Sequence, residues 1–263
     1  MSAKTDKRAK EILHLLLRDR KASVDDLVAA TKTSPASIRR DLVRLEKQGL
    51  VNRTHGGAML AEDGAAVYEP FRFDAAFQVR EDRFSEEKQR IAHAAAVLVE
   101  ENETIGIAAG TTTTCVARQL AHRRNLHIIT NAVNIGMELG SKPQLQTTLT
   151  GGAIRWSGAF SLVGATAIEM LSMVIMDKLF FGATGVDPER GATVIQLEEA
   201  AVFRAMVRQS RQRIVVADSS KLGQVSPAVV CMPNQIDLLI TDDGISDELA
   251  HRFAANNTRV IIV

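Results

Sequence analysis

Gly110-Thr111-Thr112-Thr113 closes the apolar run TIGIAA (104–109) and leads into a helix-like segment from Thr114 to Leu120. A glycine turn with hydroxyls at a helix N-terminus offers N–H and O–H donors together with the positive end of the helix dipole. The pattern repeats along the chain. NLHIIT (125–130) ends in Thr130-Asn131, and LQTTLT (145–150) is followed by Gly151-Gly152 with Arg155 close behind. DKLFFGATG (177–185) runs into Val186-Asp187, and RIVVAD (213–218) ends in Asp218-Ser219-Ser220-Lys221. Cations suit a phosphate, while carboxylates and small polar groups suit sugar hydroxyls. The chemistry expected where these strand ends converge is therefore the binding of a phosphorylated, hydroxyl-rich molecule. Each feature alone is ordinary, since a threonine run commonly caps a helix and a lysine after a strand is commonly on the surface.

Those residues share a site only if the runs before them are neighbouring strands. The five apolar runs, with DLLITD (237–242) and RVIIV (259–263), are short and continuous, as buried strands are, and several are separated by helix-length segments. That alternation predicts an α/β domain over 88–263, a mostly parallel sheet with helices on both faces. In such sheets ligands bind beyond the carboxyl ends of the strands, where all the candidate residues fall.

The first sixty residues have a different grammar. Ile12, Leu15 and Leu16, with Leu13 and Leu17 beside them, form the stripe of an amphipathic helix over 7–20. Ser23-Val24-Asp25-Asp26 is an N-cap with an acid three residues on. Ser34-Pro35 is a second helix start, because the proline lacks an N–H that would have no partner there. In PASIRRDLVRLEKQG, Ile38, Leu42 and Leu45 must face the core, which turns Ala36, Arg40, Val43, Arg44 and Lys47 outward with Ser37 and Arg39 at the edges. Gly49 is placed to stop the helix. Two helices and a tight turn, about 22–41, make a helix-turn-helix. Residues 50–60 read as a hairpin wing around His55-Gly56-Gly57. Residues 61–87, with Gly64 and Pro70 and no sustained period, read as a linker.

Charge divides at the same place. Residues 1–60 hold 13 Lys plus Arg against 7 Asp plus Glu, a net of +6, and the remainder is −5 within a total of +1. A basic head suggests a polyanionic partner. The head contains no Phe, Tyr or Trp, so stacking of single-stranded bases is disfavoured and duplex DNA fits better. Ser34, Ser37, Arg39, Arg40, Arg44, Arg53 and His55 are the candidate DNA contacts. Asp41 is not among them, since a carboxylate beside phosphates repels; orienting an arginine suits it better. Cys115 and Cys231 are too far apart for a zinc pattern or a disulfide framework, and neither a metal nor a cofactor is expected. No signal peptide or membrane-length apolar run occurs, which points to the cytoplasm. Walker A, GxGxxG, HExxH and GxSxG patterns are absent.

The stretch SVDDLVAATKTSPASIRRDLVRLEKQGLVNRTHGGA resembles the N-terminal signature of the DeoR family of bacterial transcriptional regulators. GTTT, ITN, GGAIR, SLVG, GATGVD, FRAMV and ADSSK, in that order, resemble landmarks of the family's C-terminal sensor domain. The resemblance implies a winged helix-turn-helix joined to a domain related in fold to ribose-5-phosphate isomerase. It also implies a repressor of a carbohydrate operon, released from operator DNA by a sugar phosphate or related effector and working as a dimer or tetramer. By the same resemblance, Gly110, Thr111, Thr112, Thr130, Asn131, Arg155, Asp187 and Lys221 are implied as the effector site. Two departures stand out. Ala108 replaces an aspartate many members carry, and Thr193–Glu199 is atypical and a candidate lining of the pocket. An enzymatic alternative, a sugar-phosphate isomerase, is weakened at TGVDPERG, where Thr184 replaces the first of the paired aspartates and no lysine follows. A DNA-binding protein without an effector is the other alternative.

Overall fold

The computed structural model describes residues 8–9, 11–13, 15–16, 19, 21–47, 50–60, 77, 79–155 and 160–263. The chain divides into two compact units, Met1–Val79 and Arg80–Val263. Gly49 and most of the expected linker lie outside the described residues. Residues 79–82 are helical, and a helix spans Ser85–Val97.

The N-terminal unit forms where the start signals predict. Ser23 and Asp26 make a reciprocal capping box at the head of the Val24–Thr31 helix, with Ser23 Oγ accepting from the Asp26 N–H at 3.1 Å. The Pro35–Lys47 helix follows a turn in which Lys32 has φ +49°. Ile38, Leu42 and Leu45 of that helix are buried and pack on Ile12, Leu16 and Leu27. In the first helical segment Leu13 is buried and Leu15 only half-buried, so the inward stripe sits slightly rotated from the expected one. The wing is a hairpin of β2 (Val51–Thr54) and β3 (Gly57–Leu60). A third strand, β1 (Lys21–Ser23), completes the sheet in the order β1-β3-β2. Three residues carry no periodicity, so this strand was not legible in advance. Its close approach explains Gly57, where a Cβ would lie 2.2 Å from the Ala22 carbonyl oxygen.

In the second unit the seven expected runs form β4 (Thr104–Ile107), β5 (Leu126–Thr130), β6 (Leu145–Leu149), β9 (Met176–Phe181), β12 (Ser210–Val216), β14 (Leu238–Thr241) and β15 (Arg259–Ile262). They build one sheet, in the order β15-β14-β12-β9-β4-β5-β6, with every pairing parallel. Alternate residues serve opposite cores. Phe180, Ile214 and Val216 face the helices Ser85–Val97, Thr111–Leu120 and Val133–Gly140, while Leu179, Phe181 and Val215 face Ala165–Ser172 and Leu197–Arg208. Both faces are covered, which is why the strands read as continuous apolar runs. Smaller pieces stand outside the main sheet: the hairpin β7 (Ala153–Arg155) with β8 (Ser161–Val163), and an antiparallel sheet of β10 (Gly185–Asp187), β11 (Gly191–Val194) and β13 (Ala228–Cys231).

The winding direction reverses once. From β4 the chain steps outward through β5 and β6, then from β9 outward through β12, β14 and β15. The crevice between the carboxyl ends of β4 and β9 is therefore the topological switch point, where an open α/β sheet has room for a ligand. Among the described residues, no helix is long and apolar enough to cross a membrane.

Gly57→Ala tests the wing sheet. The added methyl meets backbone, and overpacking of this kind costs about 1–3 kcal/mol. In urea the unfolding transition of the N-terminal unit should shift to lower concentration and that of the second unit stay in place; unmoved transitions would contradict the β1–β3 contact.

Candidate functional sites

On the Pro35–Lys47 helix, Arg39 and Arg40 are exposed, and Ser37 and Arg44 are half-buried; Ser34 just before it is exposed. The Ser34 and Ser37 hydroxyls lie 3.1 Å apart. His55 sits exposed in the wing turn. Arg53 is oriented by Glu46: its Nε donates to Oε2 at 2.9 Å and its backbone N–H to Oε1 at 3.2 Å. Both side chains are exposed, so the pair is worth at most about 1 kcal/mol and opens readily toward a phosphate. Asp41 is buried and accepts a charge-assisted bond from Arg8 Nε in the first helical segment. That bond and the charge of Asp41 raise the Arg8 pKa. The acid between two arginine-rich turns thus pins the first helical segment to this helix.

The second unit holds a cavity of 390 Å³ at the switch point. Gly110, Thr111 and Thr112 line it beyond β4, Gly182 to Thr184 beyond β9, and Asp218 and Lys221 beyond β12. The Thr113 and Thr114 hydroxyls are taken by the Gly110 carbonyl, at 2.9 and 2.7 Å. Those of Thr111 and Thr112 make no hydrogen bond among the described residues. Lys221 follows Asp218 in a single 3-10 turn, and its ammonium has no hydrogen bond or ion pair among the described residues. Arg155 also lines the cavity, paired through Nη2 with Glu199 Oε1 at 3.0 Å and through Nε with Ser161 Oγ at 3.3 Å.

Three expected contacts do not line the cavity, and each has a structural occupation instead. Thr130 is fully buried; its hydroxyl donates to the Ile107 carbonyl and accepts from the Ala132 N–H at 3.1 Å. Asn131, equally buried, accepts from the Ala109 N–H at 2.9 Å and donates to the Leu162 carbonyl at 3.3 Å. Asp187 accepts from the Glu189 and Arg190 N–H groups at 2.8 and 2.9 Å, closing the turn between β10 and β11. Strand-end position marked them out, but their polar atoms are turned into the backbone.

Other residues join the site without a signal of their own. Lys88, in the first turn of the Ser85–Val97 helix, is buried, and its ammonium is held by the carbonyl oxygens of Arg80, Glu81 and Arg83. Burial lowers its pKa, partly offset by Asp218. Arg80, Arg83 and Phe84 belong to the same wall, and the Arg83 guanidinium lies 5.1 Å from the Phe84 ring centre. Burial lowers the Arg80 pKa, while the charge of Glu199 opposes this. Burial raises that of Glu199 against the pull of Arg155. A lysine in a SEEK run is indistinguishable in sequence from a surface lysine. Glu199, by contrast, lies in the atypical Thr193–Glu199 stretch, which supplies Val194, Ile195 and Gln196 to the lining as well. The lining cations Arg80, Arg83, Lys88, Arg155 and Lys221 outnumber the carboxylates Glu199 and Asp218.

Comparison with known proteins decides the family. The DeoR C terminal sensor domain matches residues 83–243, and the DeoR-like helix-turn-helix domain matches residues 8–63. The chain belongs to the DeoR family. Its curated relatives are named as regulators and repressors rather than as enzymes. The HTH-type transcriptional regulator GolR of Listeria innocua is 32% identical over 94% of both chains. The HTH-type transcriptional repressor GlcR of Bacillus subtilis is 33% identical over 90% of this chain and 88% of its own. The glycerol-3-phosphate regulon repressor of Escherichia coli is 31% identical over 91% of both. Ribose 5-phosphate isomerase A of Methanocaldococcus jannaschii overlaps 53% of this chain and 55% of its own at 18% identity, with a TM-score of 0.39, a likeness too slight to carry function.

The division between pins and cavity groups is testable in this DeoR-family chain. Asn131→Ala orphans a buried N–H and a buried carbonyl and should destabilise the second unit by about 1–3 kcal/mol. Lys221→Ala, at an unpaired side chain, should stay within about 0.5 kcal/mol of wild type. Urea unfolding reads both; a fully stable Asn131→Ala would return that amide to the ligand-binding set.

Proposed function

We propose that this protein is a transcriptional repressor whose N-terminal unit grips operator DNA and whose second unit releases that grip when a phosphorylated sugar or related metabolite binds. The observation that carries the effector half is the switch-point cavity, where the unpaired Lys221 ammonium, the Thr111 and Thr112 hydroxyls and a helix N-terminus stand together. Phosphate fits such a group by charge and by donor count. The E. coli relative's name, glycerol-3-phosphate regulon repressor, supports a phosphorylated effector.

For the DNA half, the Pro35–Lys47 helix is the reading helix, with Arg39, Arg40 and Arg44 available to base edges and Ser34, Ser37, Arg53 and His55 to phosphates. A homodimer or tetramer sets two heads at a fixed half-site spacing. Occupancy reaches the heads through Lys88. Its ammonium faces the cavity and holds the carbonyls of residues 80, 81 and 83, at the start of the second unit. An anion that draws on this ammonium loosens the segment through which the chain enters the sensor. The effector shifts the equilibrium by its differential affinity for the two arrangements. The isomerase alternative is weakened further because Asp187 does not line the cavity, and its Oδ1 closes a turn by accepting two N–H groups.

Thermal unfolding against sugar phosphates, each beside its unphosphorylated parent, tests the sensor. A ligand at about 100 times its Kd adds roughly 2.7 kcal/mol to the stability of the state it binds. A shift with a phosphorylated compound and not its parent is expected; shifts that ignore the phosphate would count against the site. On duplexes selected from a random pool, Arg40→Ala should weaken binding by about 1–3 kcal/mol and relax preference at one base pair. Lys221→Ala should bind the same DNA normally and fail to release it with the effector; normal release would remove Lys221 from the site.

A further inference from the structure

The turn between the two helices of the head is made by a lysine in a left-handed conformation. Lys32 caps the Val24–Thr31 helix at its C-terminus with φ +49° and ψ +42°. Glycine adopts this region freely, whereas an L side chain there loses a factor of about 5–30 in population. Six described non-glycine residues have positive φ: Lys32, Phe84, Asn102, Asn125, Phe160 and Asn257. Three are asparagines, whose short polar side chains tolerate the region. Lys32 is the one charged residue among the six.

Folding alone does not account for a lysine at this position. Its side chain is exposed and makes no hydrogen bond or ion pair among the described residues. The turn is held by its neighbours instead. Thr31 Oγ1 donates to the Leu27 carbonyl at 2.7 Å, and Thr33 Oγ1 to the Thr31 carbonyl at 3.0 Å. A cation at a helix C-terminus whose last turn has no other basic residue returns a factor of about 2–5, less than most of the range lost to the backbone. A residue kept in a strained conformation that its own fold does not need points to function.

Lys32 stands two residues before Ser34, at the start of the reading helix. The Cα atoms of the two are at most about 7 Å apart. A reading helix meets base edges with its N-terminal residues, so the turn ahead of it runs beside the sugar-phosphate backbone. We infer that Lys32 is a further DNA contact, its ammonium set on a phosphate beside the start of the reading helix. The inference rests on the DNA-binding reading of the head and adds a cation to its contact set. A lysine on phosphate is a point charge without sequence preference.

The test measures binding of the full chain to two duplexes, one selected by the wild-type protein from a random pool and one unrelated, between 50 and 200 mM salt. Lys32→Asn keeps a residue suited to left-handed backbone and removes the charge; Lys32→Gly also removes the strain; Lys32→Arg keeps the charge. In the Asn and Gly variants the slope of log K against log salt should become shallower by about 0.9, with both duplexes bound about threefold to tenfold more weakly at 100 mM. Lys32→Arg should keep the wild-type slope. In urea the N-terminal unit of Lys32→Gly should unfold at higher concentration than wild type, so that stability and DNA affinity move in opposite directions. Unchanged slopes in the Asn and Gly variants, or a loss confined to the selected duplex, overturn the phosphate contact. Unfolding of Lys32→Gly at or below the wild-type concentration overturns the claim that the lysine is kept against the fold. A wild-type chain that binds neither duplex overturns the DNA-binding reading, and this inference with it.

Discussion

Two fully buried polar side chains, Thr130 and Asn131, set the geometry on which the sensor cavity depends. A buried amide or hydroxyl left without partners costs about 1–3 kcal/mol, so each must bond to whatever backbone the fold brings near. Thr130 ties the end of β4 to the residue that opens the next helix. Asn131 ties the turn after β4 to the hairpin that bears Arg155. The Gly110–Thr112 turn and the hairpin that bears Arg155 are therefore spaced by one strand end. Side chains that fix a site need not touch its ligand.

The charges around the cavity are handled in the same way. Lys88 is buried yet satisfied, because the end of a short helical turn offers it carbonyl oxygens that have no partner within the turn. Glu199 tolerates burial because Arg155 shares it. These pairings hold the walls in place before any ligand arrives, and the cations left over face the space between. Side chains pinned in this way have little conformational freedom left to lose.

The small head follows a different economy. Its core is a handful of aliphatic side chains, so single polar contacts matter more. Asp41 shows this. On a helical wheel it belongs near the outward arginines, and a carboxylate there is readily taken for part of a solvated face. The first helical segment covers that side of the helix, and Arg8 meets the acid beneath it. Arg39 and Arg40, just before Asp41, stay exposed while their neighbour becomes a tie between helices.

Much of this was legible in the residues alone. Runs such as LHIIT and RIVVA have to be strands buried on both faces, and the helix-length segments between them force a parallel sheet with its loops at the carboxyl edge. Ser23 with Asp26, and Ser34 with Pro35, mark helix starts because local hydrogen bonding at a cap depends on few residues. DeoR membership was legible too, since its motifs span both units. Which polar group lines the cavity was not. Thr112 and Thr130 look alike in sequence, but one hydroxyl opens on the cavity and the other is spent on backbone. The strand β1 and the burial of Asp41 escaped for the same reason, as did the recruitment of Arg80, Lys88 and Glu199. Each depends on contacts between residues far apart in the chain, and period and composition record only what neighbours require of one another.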